Sequence, residues 1–247
     1  MIEGVSEVRD AYRNETVAAN YVEERFRQPL GALLHQRQVD AVCRAIRSSR
    51  AERVLEIAPG PARLTVDIAP MLTRPPVVID SSAQMLAQAG RRLAAAGQRA
   101  ELVEGDAFDL PFEDTFDLVY TFRLIRHFEA PERARLYAQV ARVLRPGKLF
   151  VFDAVNEAVS RRLRANAKPG EYQHYDALLS RDALVDELQA GGFRVVSLIG
   201  VQHRYEMMRR LQILVAPRSR VLARAAMEVA DRSGGEPLEW IVVCRRE

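Results

Sequence analysis

Between residues 53 and 153 the chain alternates between two hydrophobic rhythms. Short apolar runs rich in Val, Ile, Leu and Phe occupy 53–58, 76–80, 101–104, 116–122 and 148–153. Between them, near 62–72, 82–96 and 131–144, apolar residues recur at helical spacing. Strands alternating with helices require right-handed crossovers and build a parallel sheet, so the pattern predicts an α/β fold. Residues 1–50 are rich in helix formers and predict two or three helices, the last near 31–48, with a break near Pro29-Leu30-Gly31.

After Asp153 the rhythm fades. Residues 154–178 are weakly periodic and contain Lys168-Pro169-Gly170, a loop signal. Ser180 reads as the N-cap of a helix that ends at Gly191-Gly192, and Phe193 to Ile199 reads as a strand. Residues 203–233 read as helical with a break at Ala216-Pro217, and a final strand runs from Leu238 to Cys244. The expectation is a single domain over 1–247. It comprises an N-terminal helical cap (1–50), a core (51–155) and a helical insertion or lid (203–233) before the last strand.

The most telling local stretch is Val54-Leu55-Glu56-Ile57-Ala58-Pro59-Gly60-Pro61-Ala62-Arg63-Leu64, a strand ending near an acid, then a tight turn into a helix. Twenty residues past Gly60, the run Val77-Val78-Ile79 ends in Asp80. This is the plan of a nucleoside-binding βαβ unit. Pro59 and Pro61 have no N–H to donate, and only one glycine is present, so the turn is a poor pyrophosphate cradle. A nucleoside without phosphates needs only close backbone approach at Gly60 and an acid for the ribose hydroxyls. S-adenosylmethionine is such a ligand, and Glu56 is placed to meet its ammonium group directly or through water.

Bulk properties narrow the class only a little. The 247 residues are 48% hydrophobic and 28% charged, ordinary for a globular protein. Net charge is +3, from 36 basic and 33 acidic residues. Lys148 and Lys168 are the only lysines; the arginine bias fits either phosphate recognition or codon composition in a GC-rich genome. Cys43 and Cys244 fit no metal spacing and no disulfide framework. The first residues lack a basic leader and an apolar core, and no apolar run approaches the ~20 residues that span a bilayer. A cytoplasmic protein is expected.

Four segments together resemble the class I S-adenosylmethionine-dependent methyltransferases, specifically the small-molecule enzymes, over roughly residues 50–155. They are Val54 to Gly60, where that family usually has acid-x-Gly-x-Gly-x-Gly, and Val78-Ile79-Asp80-Ser81-Ser82-Ala83-Gln84-Met85-Leu86. The others are Glu104 to Phe112 with Phe116-Asp117-Leu118-Val119, and Val143-Leu144-Arg145-Pro146-Gly147-Lys148-Leu149-Phe150. The resemblance implies a Rossmann-like, seven-stranded, mostly parallel sheet with an antiparallel last strand and helices on both faces. The N-terminal helices and the insertion are added to that frame. S-adenosyl-L-methionine would be the cofactor and S-adenosyl-L-homocysteine the product.

It also implies roles. Glu56, Ala58, Pro59 and Gly60 would line the methionine part of the cofactor. Asp80 would bind the ribose diol, with Ser81 and Met85 beside ribose and adenine. Asp106, with the Ala107 and Phe108 backbone, would meet the adenine amino group, and Thr121, Phe122 and Arg123 would border the sulfonium. Ala58 and Ala62 replace family glycines and fit only where the backbone does not need positive φ. Asp80 has a rival role as a helix N-cap, and Asp106 as a turn aspartate.

The acceptor side is less defined. His127 is the candidate general base, with a packing or positioning role as its rival; His174 and His203 face either the acceptor or solvent. Tyr12 and Tyr21 resemble the aromatic N-terminal segment that covers the cofactor in small-molecule methyltransferases, Tyr21 being placed among the cofactor contacts; core packing competes. The 203–233 insertion suits a lid over an apolar or anionic acceptor, a dimer contact, peripheral membrane docking or a plain packed helix.

The leading function is methyl transfer to an O, N or C atom of a small molecule, in a monomer or homodimer. The alternatives are an RNA methyltransferase and an S-adenosylmethionine-binding regulatory protein without turnover. Nucleic acid is not the expected partner, because no RNA-binding module and no Asn-Pro-Pro-Tyr motif is present.

Overall fold

A computed structural model describes residues 26–167 and 175–247. Its elements are α1 (Pro29–Ser49), β1 (Val54–Ile57), α2 (Thr65–Ile68), β2 (Val77–Asp80), α3 (Ala83–Ala95), β3 (Glu101–Glu104), β4 (Phe116–Tyr120), α4 (Ala130–Val143) and β5 (Leu144–Asn156). The chain continues with α5 (Glu157–Ala165), β6 (Leu178–Leu179), α6 (Arg181–Ala190), β7 (Phe193–His203), α7 (Tyr205–Leu214), α8 (Arg220–Arg232) and β8 (Pro237–Arg246).

The sheet order is β3-β2-β1-β4-β5-β8-β7, with β6 paired to the end of β5. Every pairing is parallel except those of β8, which runs antiparallel to both β5 and β7. The expected antiparallel last strand is therefore present, but among the described residues the sheet has eight strands and not seven. The extra one is β6, two residues long, whose Leu178 and Leu179 pair with Val155 and Asn156. A two-residue strand carries no periodicity, so sequence pattern does not register it.

Neighbouring residues of each strand feed opposite layers. Leu55, Ile57, Val77, Ile79, Phe150 and Phe152 pack with Leu136, Tyr137 and Val140 of α4 and Leu184 and Leu188 of α6. Val54, Leu118, Tyr120 and Val151 pack instead with Val39, Val42 and Ile46 of α1 and with Leu64 and Ile68. Burial on both faces explains why β1 and β4 are mostly apolar on both sides, with Glu56 and Asp117 as their one acid each, and do not alternate. The sheet is doubly covered, and its strand order reverses between β1 and β4. Ligands of such sheets bind at that switch point, beyond the carboxyl ends of the strands.

Helix limits follow local chemistry. Pro29 opens α1, where its missing N–H costs nothing, and Arg50 closes it in the left-handed region at φ 49°. Glu129 and Glu132 form a capping box at α4, and the Ser180 hydroxyl accepts the Ala183 N–H at 3.2 Å at α6.

Three segments differ from the sequence pattern. The helix expected over 62–72 is one α-turn, α2, followed by a 3-10 turn at Ala69–Met71, because Pro70 interrupts the backbone pattern. The weakly periodic 154–178 contains α5, capped by the Asn156 carboxamide accepting the Ala158 N–H at 3.1 Å and supported by the Arg161–Glu157 pair. That helix is mostly polar, which hides its period. Finally, β5 begins at Leu144 and bulges against β4 between Phe116 and Leu118, with Gly147 supplying φ 76°.

The insertion folds as α7 and α8. Met208, Ala223, Met227 and Ala230 pack on Leu33 of α1, and the Asp231 carboxylate accepts from Arg37 Nε at 3.0 Å and from the His203 N–H at 3.1 Å. Its break falls between Leu214 and Arg220, around Ala216-Pro217. Tyr12, Tyr21 and His174 lie outside the described residues.

Candidate active site at the carboxyl edge of the sheet

The turn after β1 adopts a left-handed conformation three times. Ala58, Gly60 and Ala62 have φ of 53°, 55° and 55°. This is the backbone that glycines serve, so the two alanines carry strain where the usual motif has none. A Cβ built on Gly60 would meet no atom within 4 Å, so its backbone faces open space. That is the close approach a nucleoside ligand needs.

Asp80 ends β2 opposite this turn. Its Oδ2 accepts the Gly60 N–H at 3.1 Å and its Oδ1 accepts the Ser82 N–H at 2.9 Å. Asp80 is not the N-cap of α3: that role belongs to Ser82, whose hydroxyl accepts the Met85 N–H at 3.3 Å. Burial raises the Asp80 pKa, while the N–H groups of Ser82, Gly60 and Ser81 pull it down. Ser81 is exposed beside it and Met85 is buried.

Glu56 sits deeper than its expected role suggests. It is 3% exposed, and its Oε2 accepts hydrogen bonds from the Thr65 hydroxyl and, at 2.9 Å, from Tyr120 OH. Burial pushes its pKa up to about 7 against the pull of these donors. Glu56 thus ties β1 to α2 and β4 at the base of the turn. On the outer side, the Arg63 guanidinium stacks 3.8 Å from the Phe26 ring centroid and donates to Gln38 Oε1 at 2.7 Å and to His35. These contacts fasten α1 to the turn.

The loop after β3 carries Asp106, whose Oδ1 accepts the Phe108 N–H at 3.0 Å in an Asx-type turn. Its turn-aspartate role is therefore realised, and Ala107 and Phe108 pack beside the core. After β4, the Thr121 hydroxyl donates to the Ile57 carbonyl at 2.8 Å, Phe122 is buried, and Arg123 stands at φ 64°. The carboxyl ends of β1, β2 and β4 therefore gather Ala58 to Gly60, Asp80 and Thr121 to Arg123 at the switch point.

Next to Arg123 lies a charged cluster that no sequence motif indicated. Arg126, 4% exposed, places Nη2 at 2.7 Å from Glu239 Oε1 and 3.2 Å from Asp153 Oδ2, with Asp176 Oδ1 3.9 Å from Nε. The Arg123 N–H donates to Asp153 Oδ1 at 2.6 Å. These carboxylates drive the Arg126 pKa up despite burial. A weak signal existed: Phe150-Val151-Phe152-Asp153 is an apolar run closed by an acid, just as Val77-Val78-Ile79-Asp80 is.

His127 adjoins this cluster. Its Nδ1 lies 3.0 Å from the Tyr175 carbonyl, which can only accept, so Nδ1 carries the proton. Its Nε2 is buried and has no hydrogen-bond partner among the described residues. Burial is the largest influence and lowers the His127 pKa; Arg123 and Arg126 lower it further, opposed by the Tyr175 carbonyl and Asp176. Burial thus favours the neutral ring, with the proton on Nδ1 and a buried Nε2. His203 instead meets Asp231, with Nδ1 3.4 Å from Oδ1.

Known proteins resemble this chain in sequence and fold. A family model described as a methyltransferase domain matches residues 54–147. A demethylmenaquinone methyltransferase from Clavibacter sepedonicus is 30% identical over 186 residues, covering 66% of this chain and 72% of its own. An S-adenosylmethionine-dependent methyltransferase from Clostridium acetobutylicum superposes with a TM-score of 0.63 at 12% identity, over 86% of this chain and 92% of that one. Magnesium protoporphyrin IX methyltransferase from Synechocystis, with bound SAH, superposes with a TM-score of 0.61 at 13% identity, over 89% and 86% of the two chains.

Proposed function

The chain belongs to the class I S-adenosylmethionine-dependent methyltransferases, and we propose that it methylates an O, N or C atom of a small molecule with His127 as general base. The observation that carries this role is the His127 ring, whose Nδ1 is held 3.0 Å from the Tyr175 carbonyl while its Nε2 has no hydrogen-bond partner among the described residues.

The fit to the cofactor rests on the open space at Gly60 and on a carboxylate closing β2. Bound S-adenosylmethionine supplies an activated methyl group on its sulfonium. Asp80 accepts the ribose hydroxyls, with Ser81 and Met85 beside them. Ala58, Pro59 and Gly60 line the methionine part, and Glu56 anchors that turn from below. Asp106 with the Ala107 and Phe108 backbone orders the adenine side. Thr121, Phe122 and Arg123 border the sulfonium end, with Thr121 held by the Ile57 carbonyl and Arg123 by the Asp153 carboxylate.

His127 Nε2 takes the proton that a hydroxyl or ring carbon gives up as it is methylated. Such a base contributes about 10²–10⁴-fold. Holding the acceptor in line contributes further, up to roughly 7–11 kcal/mol in well-oriented cases. The curated relative acts on demethylmenaquinone, which makes a quinone-type ring the first acceptor to try. In this reading the 203–233 insertion covers the acceptor side of the 51–155 core.

The test is methyl transfer from labelled S-adenosylmethionine to a panel of quinones, phenols and amines. Wild-type protein should label at least one acceptor, and His127→Asn should lower kcat by about 10²-fold or more with cofactor affinity unchanged. Equal turnover in the variant removes the base. Cofactor binding without transfer to any acceptor supports a regulatory binding protein instead, and transfer to RNA supports an RNA methyltransferase.

A further inference from the structure

Helix α8 is apolar on two opposite faces. Ala223, Met227 and Ala230 are its buried face, packed on α7 and α1. Val221, Ala225 and Val229, at i, i+4 and i+8, form the other face together with Leu222. Val221 is 79% exposed, Leu222 65% and Val229 70%. Beside them on α7, Ile213 and Leu214 are 59% and 61% exposed. A helix that serves only to cover the core needs one apolar stripe. Outward-facing large apolar side chains clustered on one hairpin mark an interaction surface.

The charge of the segment selects the partner. Residues 204–232 hold seven arginines and three acids, net +4, whereas the whole chain is +3. The rest of the molecule is therefore net −1, and the positive excess belongs to this hairpin. Arg210 and Arg232 are exposed on the same sides as Leu214 and Val229. A second copy of this chain would bring the same arginines against one another across a two-fold axis. An anionic bilayer surface attracts them and accepts the apolar side chains between its headgroups.

We infer that α7 and α8 dock the protein on an anionic lipid surface through Ile213, Leu214, Val221, Leu222 and Val229, with the arginines around them holding the headgroups. This goes beyond methyl transfer and gives it a setting. The hairpin leaves β7 at His203, opposite Pro237, and Glu239 in the next turns of β8 pairs with both Val155 and Val201. Glu239 also meets Arg126 in the charged cluster. The root of the hairpin and the charged cluster thus lie along the same edge of the sheet.

The experiment is co-sedimentation of the full chain with vesicles of phosphatidylglycerol and phosphatidylcholine, against pure phosphatidylcholine. Wild type should pellet with the anionic vesicles only, and less as salt rises. The triple variant Val221→Asp, Leu222→Asp, Val229→Asp should stay in the supernatant with an unchanged melting temperature, because these side chains are exposed. Arg210→Glu with Arg232→Glu should lower partitioning by roughly 30-fold or more. Wild type that stays in the supernatant overturns the inference, as does a triple variant that pellets like wild type. A wild-type dimer that the triple variant converts to monomer, without vesicle binding, assigns the face to a second copy. Vesicle binding requires no cofactor, so its failure leaves the methyltransferase reading standing, and failed turnover leaves the docking standing.

Discussion

Gly60 donates its backbone N–H to the Asp80 carboxylate at 3.1 Å, which joins the turn after β1 to the acid ending β2. The same carboxylate takes the Ser82 N–H, so one side chain joins the turn after β1 to the start of α3. Asp80→Ala should weaken S-adenosylhomocysteine binding by about tenfold to 100-fold, the loss expected for hydrogen bonds to a charged group. Titration calorimetry measures it. An unchanged affinity removes Asp80 from the site.

Glu56 makes stability depend on pH. Its pKa in the folded protein is about 7, above the ordinary 4.5, because burial penalises the charged carboxylate. The folded state therefore binds more protons than the unfolded one between these values. The contribution is fully present below about 4.5 and is lost as pH rises through 7, reaching roughly 3 kcal/mol. Urea midpoints of the wild type should fall over this window relative to those of Glu56→Gln. Parallel profiles for the two proteins sink this account.

Ala58 stands at φ 53°, where a side chain costs about 1–2 kcal/mol. Ala58→Gly should stabilise the protein by about 0.5–1 kcal/mol net, after the extra chain entropy of glycine is counted. Ala62, also left-handed, packs its methyl against Ala89 and Leu93 with no exposure, so Ala62→Gly should gain less or lose. Chemical denaturation of both variants checks the order. A destabilised Ala58→Gly would refute the strain.

Arg126 neutralises acids that are themselves buried. Arg126→Met leaves Asp153 and Glu239 facing one another without a cation, which should cost about 3–5 kcal/mol. Adding Asp153→Asn should recover part of the loss, since one charge is removed. Differential scanning calorimetry of the single and double variants gives the comparison, and additive losses would argue against a shared network.

Much of the fold is legible in the chain because its determinants are local. Val54 to Ile57 and Phe116 to Tyr120 are apolar apart from one acid each, Glu56 and Asp117, since both faces of the sheet are covered. Ser180 announces α6 through a hydroxyl three residues from the N–H it accepts, and Pro217 marks the break between α7 and α8 through its missing donor. Helix α5 escapes detection because its stability comes from a cap and an ion pair, not from an apolar stripe.

The amino-acid sequence by itself determined the strand-turn-helix at Val54–Leu64, the acid at Asp80 and the methyltransferase family, because each depends on residue types at short, fixed spacings. Only the tertiary structure decided what surrounds them. It put Ala58 and Ala62 in the left-handed region, and it buried Glu56 beneath the turn against Thr65 and Tyr120. It also brought residues 126, 153, 176 and 239 into one cluster beside His127. Those outcomes come from strand order and burial, which join positions more than 100 residues apart. No local pattern encodes a dielectric environment or the neighbour across a sheet, and these set the proton affinities of Glu56, Asp80 and His127.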